Sequence, residues 1–472
     1  MYRPMPSSAA PSTGRKPGIP HQLRHRPLDA GRGALIITQE IYVNLNKTKT
    51  PQHLDSTTAA FAAGMKTKTA ARLCAALAGI AVLASGHAHA QQAGSAQEEA
   101  ASPLTIGGAI RFNYGHKSWD KERRSGFVGL DTARLDVNYD DGRMIGSAQY
   151  RYNNYPKGQG DYWQHFLRHA WGGVRFDDKS ELHVGLDSNP FGLLPFASNN
   201  FYESIAFYAG FEDKYDLGVK YISRPGPVEW QLAFFPRDGG SYGGGSNTAG
   251  ASNRYSYNIV KDDDEQGYGT GQTDSERNTL VGRMVWNVGP ESRHQFGFSG
   301  LTGEIDNGRG TDTRRYAGAV HYRGNFGRVN VMLQSMRYRY RTAHGPEQTY
   351  GGLDPNSFVM VGGFGYPFPV ASAGDIHIAN ISYDIPGRIG PFSGFKVYND
   401  YSVLKKRSGD YRDSVQNVTG MSFGAGKWSF YADLMIGKHH PYLSPDLGGL
   451  ASTSSAHQGF TRRINLQAGY YF

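Results

Sequence analysis

The stretch "DTARLDVNYD", residues 131 to 140, alternates strictly between two kinds of side chain. One parity holds Ala133, Leu135, Val137 and Tyr139, and the other holds Arg134, Asp136, Asn138 and Asp140. Successive side chains of a β-strand point to opposite faces, so the stretch predicts a strand with one apolar and one polar face.

Runs of the same kind recur along the chain. We find sixteen, beginning near residues 104, 126, 143, 162, 181, 215, 228, 277, 293, 314, 328, 375, 394, 413, 427 and 459. Short turns between them alternate with long loops, of which the longest cover about 190 to 214, 239 to 276, 343 to 374 and 441 to 458. This alternation over an even number of antiparallel strands is typical of an outer-membrane barrel. The sequence therefore predicts an all-β protein, a 16-stranded antiparallel transmembrane β-barrel around an aqueous channel.

A secretory signal peptide is predicted over residues 65 to 90. Lys66, Lys68 and Arg72 precede an apolar run from residue 73 to 84, and "AHA" ends at Ala90, so that cleavage would leave Gln91 first. We interpret residues 1 to 64 as a mis-assigned start or an unstructured extension. Residues 91 to 472 would then form the exported barrel.

Charge and cysteine content exclude several classes of function. The chain has 50 Lys plus Arg against 41 Asp plus Glu, but residues 91 to 472 hold 39 and 38, so no basic domain predicts nucleic-acid binding. The only cysteine, Cys74, lies in the predicted signal peptide. We expect no disulfide, no metal site and no cofactor in the exported part.

The end of the chain, "RRINLQAGYYF", is a further alternating strand that stops on an aromatic residue. Tyr470 and Phe472 share its apolar parity. The ending resembles the C-terminal strand of bacterial outer-membrane proteins, which implies recognition by the barrel assembly machinery. We therefore expect the protein in the bacterial outer membrane, in contact with its lipid and lipopolysaccharide.

If the apolar parity of each strand faces lipid, the polar parity faces the channel. Basic residues outnumber acidic ones on that parity, which predicts a lumen that attracts small anions. The predicted pore-lining residues are Arg111, Arg134, Arg143, Arg151, Arg283, Arg315, Arg323, Arg337, Arg339, Arg341 and Lys396. Some of these arginines could instead pair with acids across strands and hold the wall rigid.

The run "SMRYRYRT", residues 335 to 342, leaves two orientations open. Arg337 shares the parity of the apolar Val331 and Leu333, so the arginines face outward among lipopolysaccharide phosphates unless a bulge shifts the register. We favour the bulge, which would place Arg337, Arg339 and Arg341 in the pore and Tyr338 and Tyr340 in an aromatic girdle.

The third long loop along the chain, which joins the fifth and sixth predicted strands, is too apolar for a solvated segment. Its sequence from residue 189 to 214, "NPFGLLPFASNNFYESIAFYAGFEDK", predicts burial by folding into the barrel to form a constriction. The residues assigned to this constriction loop are Pro190, Phe191, Gly192, Phe196, Phe201, Phe207 and Lys214. A contact patch between protomers is the alternative.

These features together resemble the phosphate-selective porin O and P family. The resemblance is carried by "VGLDSNPFGLLPF" (184 to 196), "TARLDVNY" (132 to 139) and the terminal "AGYYF". It implies a homotrimer of 16-stranded barrels that take up phosphate-like anions through an arginine-lined constriction. The third loop departs from the family, because Lys214 near its end is its only cation, which leaves a general diffusion channel equally open.

We therefore expect passive diffusion of small hydrophilic solutes and no enzymatic activity. A hydrolase at the barrel rim is disfavoured, since no spaced set of serine and histidine lies in one strand. An adhesin or receptor barrel would bind through the loops at 239 to 276 and 343 to 374.

Overall fold

The computed structural model describes residues 102–154, 163–247, 252–262, 268–364, 367–445 and 449–472. The predicted signal peptide, its cleavage site at Ala90 and Gln91, and the extension over residues 1 to 64 lie outside the described residues. Among the residues described, no helix has the length and apolar character needed to cross a membrane.

Sixteen long strands dominate the described part of the chain, each beginning within a few residues of its predicted start. Numbered β1 to β16 in chain order, they are Leu104–Lys117, Phe127–Asp140, Met144–Asn154, Trp163–Asp177, Ser180–Ser188, Tyr215–Ser223, Val228–Arg237, Ser275–Val288, His294–Asp306, Thr313–Phe326, Val329–Tyr340, Ala373–Asp384, Phe392–Lys406, Ser414–Ala425, Trp428–Lys438 and Thr461–Tyr471. The remaining elements are short: strands Gly245–Ser246, Asn258–Ile259, Phe358–Gly362, Phe368–Ala371 and Arg388–Ile389, a helix α1 (Ile205–Tyr208), and 3-10 turns Pro290–Ser292 and Pro355–Ser357.

The sixteen strands close into a barrel. Each strand pairs antiparallel with the strands before and after it. The first strand also pairs with the last, so that Ile110 lies opposite Ala133 of β2 on one side and Tyr470 of β16 on the other. The prediction of a closed 16-stranded antiparallel barrel is confirmed.

Closure requires a close approach of the two chain ends of the barrel. The backbone N–H of Phe472 donates to the carbonyl of Gly108 at 3.1 Å, and the N–H of Gly108 donates back at 3.0 Å. A β-carbon at Gly108 would lie 2.4 Å from the Arg134 carbonyl oxygen and 2.7 Å from the Phe472 ring. Only glycine fits at this position of the seam.

The outward faces of the strands are apolar, as the alternation predicts. On β7, for example, Trp230, Leu232 and Phe234 are exposed, whereas Gln231 and Ala233 between them are buried. An apolar band around a closed barrel matches a hydrocarbon environment, where every backbone polar group must be paired internally.

The inward faces of β7 to β13 differ from the prediction, because many of them are also apolar. Phe235, Val281, Leu301, Met336 and Ile376 belong to one buried cluster with residues of three long loops. The loops supply, among others, Phe207, Ile259, Val359 and Val370. Within them, strand Phe358–Gly362 pairs antiparallel with both Phe368–Ala371 and Asn258–Ile259. The rule that every inward face is polar is therefore wrong on this side, since folded loops pack against the wall there.

Candidate pore constriction

The third loop, residues 189 to 214, runs along the inner face of the barrel and is held by the strands on its far side. Side chains of β8 to β14 form hydrogen bonds with its backbone. Three of them donate to loop carbonyls: Arg283 to Gly192 (2.8 Å), Arg323 to Leu194 and Phe196 (2.7 and 2.9 Å), and Gln416 to Glu203 (2.6 Å). Two accept from loop N–H groups: Gln334 from Leu193 (2.8 Å), and Asp400 from Asn199 and Asn200 (2.6 and 2.9 Å). The prediction of an inward-folded third loop is confirmed.

The Pro190, Phe191, Gly192 triplet begins this inward path. Gly192 has a φ of +69°, and its N–H donates to Ser299 Oγ at 2.9 Å. A β-carbon there would lie 2.5 Å from Gln334 Oε1, the atom that accepts from Leu193. The glycine is required both by its backbone conformation and by the contact with the wall.

The aromatic residues of the loop divide between core and cavity. Phe191 and Phe207 belong to the buried apolar cluster, whereas Phe196 and Phe201 line an open cavity in the barrel. Phe207 also borders this cavity. The apolar composition of the loop thus serves mainly to fill the barrel beside β7 to β13.

The cavity lies on the opposite side, has a volume of about 420 Å³, and is bounded by one arginine from each of five consecutive strands. In order around the barrel these are Arg463 (β16), Arg111 (β1), Arg134 (β2), Arg151 (β3) and Arg168 (β4), which we call the basic wall. Arg134 and Arg151 are directly opposed across β2 and β3. Like charges in such positions repel, so their juxtaposition favours an anion between them.

Carboxylates offset part of this charge. Arg111 pairs with Asp131 at 2.8 Å, Arg134 with Asp136 at 3.0 Å, and Arg168 with Asp213 at 2.6 Å. Arg151 and Arg463 have no carboxylate within ion-pair distance among the described residues; Arg151 instead donates to Gln149 at 2.6 Å. These two guanidiniums carry the uncompensated charge of the wall.

Two acids of the third loop, Glu203 and Asp213, face the basic wall across the cavity. Burial, reinforced by Asp213 and Glu212, raises the pKa of Glu203 well above its usual range. Burial also opposes ionisation of Asp213, but Arg168 outweighs it and lowers the pKa of Asp213. Burial thus disfavours the charged form of Glu203, which would otherwise offset part of the positive charge of the wall.

Glu212 anchors the same loop from within. Its carboxyl accepts from the N–H groups of Ala197 (2.8 Å) and Ser204 (3.2 Å) and from the Ser204 hydroxyl. Burial raises its pKa to about 7, against the opposing effect of these donors. The conformation of the third loop is therefore coupled to protonation of the Glu212 carboxyl near neutral pH.

A second cavity, of about 390 Å³, is lined by Arg283 and Arg323 and by the third-loop residues Leu194, Pro195 and Lys214. Arg283 also pairs with Glu229 at 2.9 Å. Both arginines bond to carbonyls of the third loop, so their first role is to position the constriction.

Two predicted basic residues share one buried ion cluster. Arg315 is fully buried and pairs with Glu276 at 2.8 Å. Lys214 is also buried and bonds to the same carboxylate at 2.5 Å. The assignment of Arg315 to the pore lining is wrong, because its charge is used in a buried ion cluster. Lys214 belongs to the third loop and borders the second cavity, but its charge is paired in the same cluster.

Arg143 and Lys396 lie at the short-turn end of the barrel. Arg143 is exposed in the turn between β2 and β3 and borders neither of the two cavities described above. Lys396 keeps its inward parity on β13 and lies 3.6 Å from Asp384. Neither residue belongs to the constriction.

The arginines of "SMRYRYRT" face outward. Pairing of β11 with β10 and β12 is regular throughout, with no bulge. Tyr338 and Tyr340 are buried inside the barrel at 1% and 3% exposure, and the side chain of Arg337 is 68% exposed. The prediction that Arg337, Arg339 and Arg341 line the pore is wrong, since the strand keeps one parity along its whole length.

Arg168 is a cavity residue that strand alternation does not reveal. It lies at a register shift between β3 and β4, where Gln149 opposes His169 and Tyr150 opposes Leu167. Beyond the bulge, outward residues such as Ala170 and Gly172 share the parity of Arg168, so strict alternation would place Arg168 outside. Arg463 shows the opposite case, because the clean alternation of β16 already assigns it to the inward face.

No protein-family model matches the chain, and no curated protein matches it in sequence. Solved structures with a similar fold include OmpT, an outer membrane protein of Vibrio cholerae in trimer form (12% identity, TM-score 0.49, 78% of this chain and 99% of that one). Others are an anion-selective porin from Comamonas acidovorans (12%, 0.49, 78% and 99%) and the outer membrane channel DcaP of Acinetobacter baumannii (12%, 0.48, 80% and 100%). At 12% sequence identity, the similarity is one of fold and does not indicate a shared solute.

Proposed function

We propose that the protein is an outer-membrane porin through which small hydrophilic anions diffuse passively. The observation that carries the proposal is the basic wall, in which five consecutive strands each direct an arginine toward one cavity opposite the third loop. Fixed positive charge in a narrow, low-dielectric passage concentrates anions and repels cations. Diffusion of this kind needs no covalent step.

A specific phosphate site on the third loop is not part of the proposal. The only lysine of that loop, Lys214, is bound to Glu276. The arginines of the wall remain as anion ligands, and they favour anions as a class.

The test is ion selectivity in a planar lipid bilayer. Protein comprising residues 91 to 472, folded in detergent and inserted into the membrane, should pass current in KCl with a reversal potential of the sign that chloride permeation gives. A cation-selective current would contradict the anion preference, and the lack of any current would contradict the channel itself.

We also propose export through the predicted signal peptide, insertion by the barrel assembly machinery, and long loops on the cell surface. The prediction for export is a mature chain that begins at Gln91, which mass spectrometry of protein from outer membranes would check. An unprocessed chain in the cytoplasm would contradict it.

The proposed assembly is a homotrimer. Small residues on the outer faces of neighbouring strands support it: Gly146 lies opposite Gly172, and Ala148 opposite Ala170, on β3 and β4. Such residues allow another protein surface to approach closely. Chemical cross-linking in native membranes should give a trimer, whereas only monomer would contradict the assembly.

A further inference from the structure

We propose that the cavity beside the basic wall selects for anions that carry an aromatic ring, such as aryl carboxylates, over inorganic anions. This inference rests on the proposed anion passage and names its solute class.

Every arginine of the basic wall lies over an aromatic ring. The distances from guanidinium carbon to ring centroid are 4.6 Å for Arg151 over Tyr255, 4.7 Å for Arg463 over Tyr202, 4.9 Å for Arg168 over Tyr255, 5.3 Å for Arg134 over Tyr471 and 5.4 Å for Arg111 over Phe201. Attraction to the ring face helps to hold each guanidinium in place without using any of its N–H donors.

Several rings of the lining are accessible to a solute. Phe201, Tyr431 and Tyr471 border the cavity and are only partly buried. Phe201 lies 6.4 Å from Tyr431, and Phe201 also contacts the guanidinium of Arg111. An aromatic solute in this cavity therefore meets aromatic rings and guanidinium groups side by side.

This surface suits an organic anion better than an inorganic one. Phosphate or sulfate would lose water against the rings, which offer such ions no hydrogen bond in return. An aryl carboxylate can place its charge at an arginine edge while its ring contacts Phe201 or Tyr471. A volume of about 420 Å³ lies in the range of pockets that hold small organic ligands.

Arg151 and Arg463 are the best placed to receive the carboxylate, because neither has a carboxylate partner among the described residues. Arg463 stands near Tyr202, and Arg151 near Tyr255. Asn113, Asn465 and Gln467 add amide donors to the same lining.

The experiment compares benzoate with cyclohexanecarboxylate, which has the same charge and similar size but no aromatic ring. Each is titrated into a KCl-conducting channel, and the concentration that halves the current is measured. Benzoate should block at a concentration between about 2-fold and about 10-fold lower than cyclohexanecarboxylate, as expected for aromatic contacts.

Phe201→Leu and Tyr471→Leu, each tested separately, should remove this preference, because leucine keeps apolar volume without a ring. Tyr401→Leu, on the exposed outer face, should retain it. Equal block by the two acids in the wild type would overturn the inference and leave the channel intact. Absence of KCl current in the wild type would instead overturn the proposed function on which the inference rests.

Discussion

Arg283 donates a hydrogen bond from Nε to the carbonyl oxygen of Gly192 at 2.8 Å, which joins wall strand β8 to the start of the third loop. The bond is charge-assisted and buried, so its loss should cost about 2 kcal/mol of loop anchoring. We predict that Arg283→Met gives larger and noisier single-channel currents than the wild type. Arg175→Met, which removes an exposed pair with Asp140 at a short turn, is the matched control. Unchanged currents in Arg283→Met would show that the loop holds its place without this bond.

The net charge at the basic wall should set ion selectivity: loss of an arginine should lower the anion preference, and loss of an acid should raise it. Arg151→Gln should lower the anion-to-cation permeability ratio about 7-fold, because one charge about 7 Å away in water raises the anion concentration about 2.7-fold and lowers the cation concentration by the same factor. Asp131→Asn, which removes the partner of Arg111, should raise the ratio. Reversal potentials in a KCl gradient measure both. Arg339→Gln on the outer face should leave the ratio as it is, and a decrease in Arg339→Gln as large as that in Arg151→Gln would contradict a local effect.

The third loop should loosen as the pH rises through neutrality. The pKa of Glu212 is raised to about 7 in the fold, so the neutral carboxyl is the favoured form. The stability it contributes is complete below the ordinary pKa of a carboxyl and is lost as the pH rises through about 7. Amide hydrogen exchange at Ala197 and Ser204, corrected for the intrinsic pH dependence, should be faster at alkaline pH. Glu212→Gln should abolish this dependence; a dependence that persists would assign it to another group.

The outward arginines should bind anionic lipid. Arg337 and Arg407 both bond to Asp375, at 2.7 and 2.5 Å, and their side chains remain 68% and 53% exposed near the long loops. Each arginine near an anionic surface contributes about 1 kcal/mol. The double change Arg337→Ala, Arg407→Ala should reduce the lipopolysaccharide that copurifies with the barrel, as measured by phosphate analysis. Arg143→Ala, in a short turn at the other end, should not, and equal losses from both proteins would refute the site.

The seam between the first and last strands should depend on Gly108. Gly108→Val places side-chain atoms against the Arg134 carbonyl and the Phe472 ring, so the barrel should fail to close. The folded form, which migrates faster than the unfolded chain on an unheated SDS gel, should be nearly lost. Gly300→Val provides the control, because a β-carbon there meets no atom within 4 Å. Normal folding of Gly108→Val would show that the seam tolerates a shift.

The sequence alone determined the wall of this protein. Alternation with a period of two identifies all sixteen strands, and the register of β16 already assigns Arg463 to the inside and Phe472 to the outer seam. The period-two pattern identifies them because a strand between an apolar and a polar environment needs apolar and polar side chains at alternate positions.

The tertiary structure decided what fills the interior. Strands β7 to β13 have apolar residues on both faces, and only contact with distant loops shows that Phe235 and Met336 pack inside rather than against lipid. The same contacts explain why Tyr338 is buried and Arg337 is outside, the reverse of the favoured prediction. A bulge brings Arg168 to the cavity, and ion pairing withdraws Arg315 from it. Periodicity defines two faces of a strand, but which side chains meet the solute depends on nonlocal packing that no local pattern encodes.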